Sequence, residues 1–318
     1  MSKINKLIHS PGLFINDALL KRFNKSQRKS GMNGKVNELN KKNNELSVNM
    51  LLKYNLDAIK VNLVVVDFID DCESKSDILK YQCRSIEKYT NFNKIYYISK
   101  SIKTTNNNYI IYDTYQDFFD KVVLRISPKK EMFVFIDMNF FFLRNVIISD
   151  FISPSGSAIT YITKQFKKNE RLMEVIGLLL PGANVNFTSI NNYCCIDNMQ
   201  LIHYNDVSKS IDDLDFYLFD FLPTVNSLVG KDNVNATPVQ YANLSYGYMD
   251  KFVWVKSVHG SKRCPLAITF NHKIKDSSDF NTFLTDIVPH ESISEKEVIL
   301  KSKYFVSEGY ELLWVTAL

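Results

Sequence analysis

The sequence predicts an α/β fold, a doubly wound and mainly parallel sheet flanked by helices, and three observations predict it. Four consecutive apolar residues, Phe133-Val134-Phe135-Ile136, read as a strand buried on both faces, because a strand with one wet face alternates polar and apolar positions. A similar run, Val61 to Val66, precedes it. Between the two, strands alternate with helices of about ten to fifteen residues, the pattern of βαβ units.

Residues 1–23 place Ile4, Leu7, Ile8, Phe14, Ile15, Ala18, Leu19 and Phe23 among lysines, broken at Ser10-Pro11-Gly12, which predicts a basic helical arm in two amphipathic pieces. Residues 24–55 begin in Asn, Lys, Ser and Gly, a composition with too little apolar surface to fold alone, and read as a linker. The remaining 56–318 read as one α/β body, with an earlier half at about 60–145 and a later half at about 146–318.

Val61 to Val66 is the first strand of that body and delivers Asp67, Asp70 and Asp71 into a loop. A helix follows from about Ser76 to Tyr89, capped by Ser76 or Asp77, with Ile78, Leu79, Cys83 and Ile86 on one face. Lys94 to Ser99 is the second strand and Tyr109 to Tyr112 the third, after a Thr-Thr-Asn-Asn-Asn turn. Asp113 or Thr114 caps a helix through Phe118, Phe119, Val122 and Leu124, and the Met132 strand enters as the fourth. Near the end, Phe280, Phe283, Leu284, Ile287 and Val288, then Val298 to Tyr310, suggest helices on the sheet, closed by Trp314 and Leu318.

Charge is unevenly spread. Residues 1–42 hold ten Lys or Arg against Asp17 and Glu38, a segment charge of +8, so the net +5 of the chain leaves −3 for the rest. That asymmetry argues against a nucleic-acid-binding body and for a basic arm that meets an anionic surface, and the apolar stripe among its lysines suits either a membrane interface or a helix packed on the body. The five cysteines are odd in number and lack Cys-x-x-Cys spacing, which suggests neither a zinc site nor a disulfide framework. With no apolar run of about 18 residues or signal-peptide centre, the expected location is cytoplasmic, peripheral at the inner face of the membrane.

The polar residues that follow the Phe133 strand carry the chemistry. Asp137 sits at its carboxyl end, where open α/β sheets bind ligands, and Asn139 two positions on brings a second oxygen within reach of one hard cation. This order, together with Arg84-Ser-Ile-Glu-Lys-Tyr89 on the first helix and Lys94-Ile-Tyr-Tyr-Ile98 on the second strand, resembles glycosyltransferases of the GT-A fold. The resemblance implies that Asp137 and Asn139 hold Mg²⁺ or Mn²⁺ on the diphosphate of a nucleotide-sugar donor, with Asn139 standing where the family has a second aspartate.

Other segments extend it. Ile190 to Leu201 (Ile-Asn-Asn-Tyr-Cys-Cys-Ile-Asp-Asn-Met-Gln-Leu) resembles the strand that lines the donor-sugar pocket, which implies a donor-binding role for Asn192, although Tyr193 and Cys194 replace small residues. Ser210-Ile-Asp-Asp-Leu-Asp215 resembles the acidic helix opening near the acceptor, which implies catalytic Asp213 and Asp215, the latter as base for an inverting reaction; both also suit a plain helix start. Val255 to Pro265 resembles the late His-containing loop, which implies that His259 completes the metal shell and Lys262 pairs with the diphosphate. Asp67 is the acidic loop residue expected near the nucleoside.

Asp70 to Lys100 and Phe135 to Asn145 also resemble the Stealth proteins of bacterial capsule synthesis, which transfer sugar-1-phosphate; Ser10-Pro-Gly-Leu-Phe-Ile-Asn-Asp17 is similar to the opening of several capsule enzymes. The expected activity is transfer of a sugar from a nucleotide-sugar to a glycan or lipid-linked acceptor in surface polysaccharide synthesis, of capsule or lipopolysaccharide type. Two alternatives stand beside it: sugar-1-phosphate transfer, and a degenerate GT-A domain that binds without turnover.

Overall fold

The computed structural model describes residues 59–69, 75–126, 130–153, 156–163, 169–183, 185, 188–190, 192–209, 211–229, 233–235, 241–244, 249–261, 263–270 and 278–300. The expected arm at 1–23, the linker at 24–55, Asp70, Asp71, Lys262, Trp314 and Leu318 lie outside them.

Chain order opens with β1 (Lys60–Val66), α1 (Lys75–Tyr89), β2 (Ile95–Ile98), β3 (Ile102–Thr104) and β4 (Tyr109–Tyr112). A composite helix α2 follows, built from Tyr115–Phe118, a π-helical Phe119–Val123 and Leu124–Ile126, then β5 (Glu131–Asp137) and β6 (Phe140–Phe142). The second half contains β7 (Thr160–Thr163), α3 (Glu170–Leu179), β8 (Thr188–Ser189), β9 (Tyr193–Asp197) and α4 (Asn198–Ser208). Next come α5, a π-helical Phe216–Phe221 running into Leu222–Val229, β10 (Asn233–Asn235), β11 (Tyr241–Leu244), α6 (Met249–Val258) and β12 (Ala267–Phe270). The last elements are α7 (Ser278–Ile287), α8 (Ser294–Glu297) and β13 (Val298–Leu300).

The central sheet has the order β4-β2-β1-β5-β9. β1 pairs in parallel with both β2 and β5, β2 pairs in parallel with β4, and β9 runs antiparallel to β5. The chain therefore builds outward from β1 on one side and then returns to the other. β1 and β5 flank the point where the strand order reverses, and the carboxyl ends of such a pair bound the crevice of an open α/β sheet.

Helices cover both faces. Alternation along β1 sends Val64 and Val66 to one face, where they share a core with Tyr96, Phe133, Phe135, Phe118 of α2, Leu201 of α4 and Phe219 of α5. Phe118 meets Phe133 edge-on at 5.6 Å and Phe135 at 6.1 Å, which is how the run expected to be buried on both faces is filled on this one. On the opposite face the Cys83 thiol of α1 lies 3.7 Å from the Tyr97 hydroxyl. Thr114 caps α2 by accepting from the Asp117 amide at 3.1 Å, as one of the two expected caps.

Smaller sheets decorate this frame: β6 pairs antiparallel with β12, and β12 in parallel with β11. β7 joins β8 and β10. The helix expected from Val298 onward is corrected, because Val298 to Leu300 form a strand paired antiparallel with β3. Its neighbour α8 is clamped to α1 by Arg84, which donates to both carboxylate oxygens of Glu295, the Nη2–Oε1 contact being 3.1 Å. Arg84 Nη1 also reaches the carbonyls of Val288 and Pro289, each at 3.3 Å. The described cysteines Cys83, Cys194, Cys195 and Cys264 are buried free thiols.

Candidate functional site

Asp137 is the last residue of β5 and the register partner of Val66, the last residue of β1. The chain turns immediately afterwards, and the Met138 amide donates to the Val66 carbonyl at 3.2 Å. An Asx-type turn shapes the two polar residues: Asp137 Oδ1 accepts from the Asn139 amide at 2.6 Å, and Oδ2 from Asn139 Nδ2 at 3.3 Å. Both residues are buried, at 5% and 1% exposure. Asn139 Oδ1 has no hydrogen-bond partner among the described residues, an anomaly for a buried carbonyl oxygen.

Asn192 belongs to the same place. It precedes β9 with φ 64°, a left-handed conformation that asparagine tolerates better than most residues. Its carbonyl accepts from the Asp137 amide at 3.4 Å, and its Nδ2 donates to Thr269 Oγ1 at 2.8 Å. Thr269 is in turn the register partner of Phe140. Asn192 thus ties β5, β9 and β12 together around the turn, so three of the expected residues, Asp137, Asn139 and Asn192, do meet.

Tyr193 occupies the space where the resemblance called for small side chains. Its buried ring lies nearly parallel to Phe140 at 6.0 Å and to Phe151 at 6.5 Å. Burial, then the neighbouring Cys195 thiol, drives its hydroxyl well above its ordinary pKa.

Asp67 is adjacent but engaged. Oδ2 accepts from Ser99 Oγ at 2.6 Å and Ser101 Oγ at 2.8 Å, and pairs with Lys75 Nζ at 2.8 Å; Oδ1 accepts from the Ile69 amide at 3.2 Å. The carboxylate is 4% exposed and Lys75 also donates to the Ile69 carbonyl at 3.0 Å. Asp67, expected near the nucleoside, uses most of its acceptor capacity to lock the β1 and β2 loop ends to the start of α1.

His259, expected to complete the metal shell, has partners of its own. It follows α6, whose left-handed Gly260 (φ 76°) closes the helix end. Its Nε2 lies 2.9 Å from the Tyr89 hydroxyl, and it hydrogen-bonds the Leu143 carbonyl. Leu143 is four residues beyond Asn139 along β6, roughly 13 Å of extended chain. Burial, then the neighbouring Lys88, lowers the His259 pKa, while Leu143 opposes the shift. That environment favours a neutral ring held between a phenol and a carbonyl.

The acidic opening of α5 forms a second locus. Asp213 Oδ1 accepts from the Phe216 amide at 3.1 Å, capping the helix as carboxylates at helix starts do. Arg171 Nη1 approaches its other oxygen at 3.7 Å and lies over the Phe216 ring. Asp215 is raised by burial and then by Asp213. Asp220, which the sequence reading missed, is pushed up to about 6, mainly by loss of hydration and then by Asp215 and Asp213, although its side chain still reaches solvent. The π turn brings positions five apart toward one face, so Asp220 feels the charge of Asp215 in a way an α-helical reading does not foresee. Phe219 of the same turn meets Phe68 edge-on at 5.8 Å, so the locus flanks the carboxyl end of β1.

Among the described residues no group of three His, Cys, Asp or Glu side chains is arranged to hold a metal, and no helix is long and apolar enough to cross a membrane. Asp137 and Asn139 still suit Mg²⁺, which takes one or two protein oxygens and completes its shell with water and phosphate oxygens. The sequence matches no protein-family model and no characterised protein.

Proposed function

We propose that the chain is a GT-A-like nucleotide-sugar transferase whose donor diphosphate lies over the Asp137–Asn139 turn. One observation carries the reading: a carboxylate and an amide with an unpartnered buried Oδ1 stand at the carboxyl end of β5, where the strand order reverses. A donor oxygen set of that kind suits Mg²⁺ or Mn²⁺, which when bound neutralises charge building on the departing diphosphate. Asn192 shapes the floor of the site. Asp215, raised above an ordinary carboxylate, is the base assigned to the acceptor hydroxyl, and an elevated pKa suits proton abstraction near neutrality. Surface polysaccharide is the acceptor class, and residues 1–42 bring the enzyme to an anionic membrane face.

The test is a thermal-shift screen of nucleotide-sugars with and without Mn²⁺, followed by product analysis on the stabilising donor. Released nucleoside diphosphate supports sugar transfer. Released monophosphate replaces it with sugar-1-phosphate transfer. No shift with any donor would leave a binding domain without turnover, a reading consistent with the Asp137 carboxylate being bonded inward to Asn139. For the arm, liposome binding by the chain lacking 1–42 is expected to fall; unchanged binding removes the membrane role.

A further inference from the structure

Besides the ion-paired Lys75 and Arg84, the buried residues of α1 include two uncharged polar ones, Gln82 and Ser85, among Ile78, Leu79, Cys83 and Ile86. Both point at one stretch of main chain. Gln82 Nε2 donates to the Asp137 carbonyl at 3.2 Å, and Ser85 Oγ to the Phe142 carbonyl at 2.9 Å. One turn further on, the Val146 amide donates to the Tyr89 carbonyl at 2.9 Å. The helix therefore holds the segment from Asp137 to Val146 at three levels, and Gln82 is the level at the candidate site.

Packing alone does not favour a glutamine there. The residue is 0% exposed, and its Oε1 has no hydrogen-bond partner among the described residues. A buried acceptor without a donor costs stability, and methionine, of similar length, would remove that orphan while taking one donor from the Asp137 carbonyl. What glutamine supplies that methionine does not is one N–H directed at the carbonyl of Asp137. That bond fixes the peptide from which both the Asp137 side chain and the Asn139 turn depart.

We infer that Gln82 is a positioning residue: from α1 it sets the orientation of the Asp137–Asn139 turn at a cost in stability. The inference deepens the proposed donor site and rests on that reading for its functional meaning, but its structural content is independent of it.

The experiment compares wild type with Gln82→Met and Ser85→Ala by thermal denaturation, peptide-level hydrogen exchange and binding of UDP with Mn²⁺. In Gln82→Met the melting temperature should hold or rise, while exchange in the peptide covering Asp137 to Phe142 accelerates about tenfold, the worth of one hydrogen bond. UDP affinity should fall by about the same factor. Ser85→Ala, which loosens the far end of β6, should leave exchange at Asp137 to Asn139 and UDP affinity unchanged. Unaltered exchange at the turn in Gln82→Met overturns the inference, as does a lowered melting temperature with faster exchange across β1 and β5. If wild type itself fails to bind UDP, the donor reading falls, and the exchange of the turn alone decides for or against Gln82.

Discussion

Val66 of β1 lies directly opposite Asp137 of β5 in a parallel ladder, and the Met138 amide returns to the Val66 carbonyl at 3.2 Å. Two inner strands thus end at the same level, and the chain folds back over one of them. The Asp137 carboxylate serves the turn it begins, since each of its oxygens accepts from Asn139. Asp137→Asn keeps the shape and an acceptor for the Asn139 amide but places one amide nitrogen toward another. The expected cost is about 1 kcal/mol in chemical denaturation. If the site works by charge on a bound diphosphate, turnover falls by about a hundredfold or more at that small stability cost. Transfer at wild-type rate by Asp137→Asn would remove the site.

Asp67 shows the opposite balance. Its carboxylate and Lys75 are a buried ion pair with two serine hydroxyls completing the shell. Asp67→Asn leaves the Lys75 ammonium buried without its counter-charge, a loss of about 3 kcal/mol. Urea titration checks that figure. Nucleotide affinity, measured on the folded fraction, should change little, because most of Asp67's acceptor capacity serves Ser99, Ser101, Lys75 and the Ile69 amide; a selective loss of affinity would place Asp67 at the nucleoside.

How much of this was readable in advance follows the range of the forces involved. β1 and β5 announce themselves because burial on both faces demands unbroken apolar runs. α1 does so through the spacing of Ile78, Leu79, Cys83 and Ile86. Asp137 and Asn139 were visible because two residues of separation is a local matter. What was hidden depends on contacts distant in sequence. Ser99 and Ser101 reach Asp67 only because β2 ends beside β1. Val298 to Leu300 have a free choice of structure until β3 offers an edge. His259 follows the expected order of motifs along the chain, yet order is one-dimensional, and the fold sets it beside Leu143 and Tyr89. The influence of Asp215 on Asp220 depends on a π turn, which side-chain periodicity does not encode.

That neighbouring charge implies a pH dependence. The Asp220 pKa rises from 3.8 in the unfolded reference to about 6. A group whose folded pKa is raised binds more protons in the native state between those values, so its contribution to stability declines as pH climbs from about 4 to 6 and is level above. Asp220→Asn, which cannot ionise, should therefore melt higher than wild type at pH 7 and no higher at pH 4. Because the side chain reaches solvent, the gain should be modest and should shrink in high salt. An advantage that persists at pH 4 would assign the effect to packing instead of charge.

Asn192 separates shape from recognition. Its φ of 64° suits glycine best, asparagine next and alanine poorly. Its Nδ2 already donates to Thr269, which pairs with Phe140 just past the Asn139 turn. Asn192→Gly keeps the backbone and loses only that bond, about 1 kcal/mol, whereas Asn192→Ala adds about another 1 kcal/mol of left-handed strain. Denaturation should rank the variants wild type, Gly, Ala. Donor affinity need not follow the same ranking. If Asn192 acts by shaping the turn, the glycine variant retains affinity and the alanine variant loses it. If the amide itself touches the donor, both lose it equally, because neither carries the group. The Nδ2–Thr269 contact of 2.8 Å favours the first outcome, since an amide held across to β12 has one donor fewer to offer a sugar.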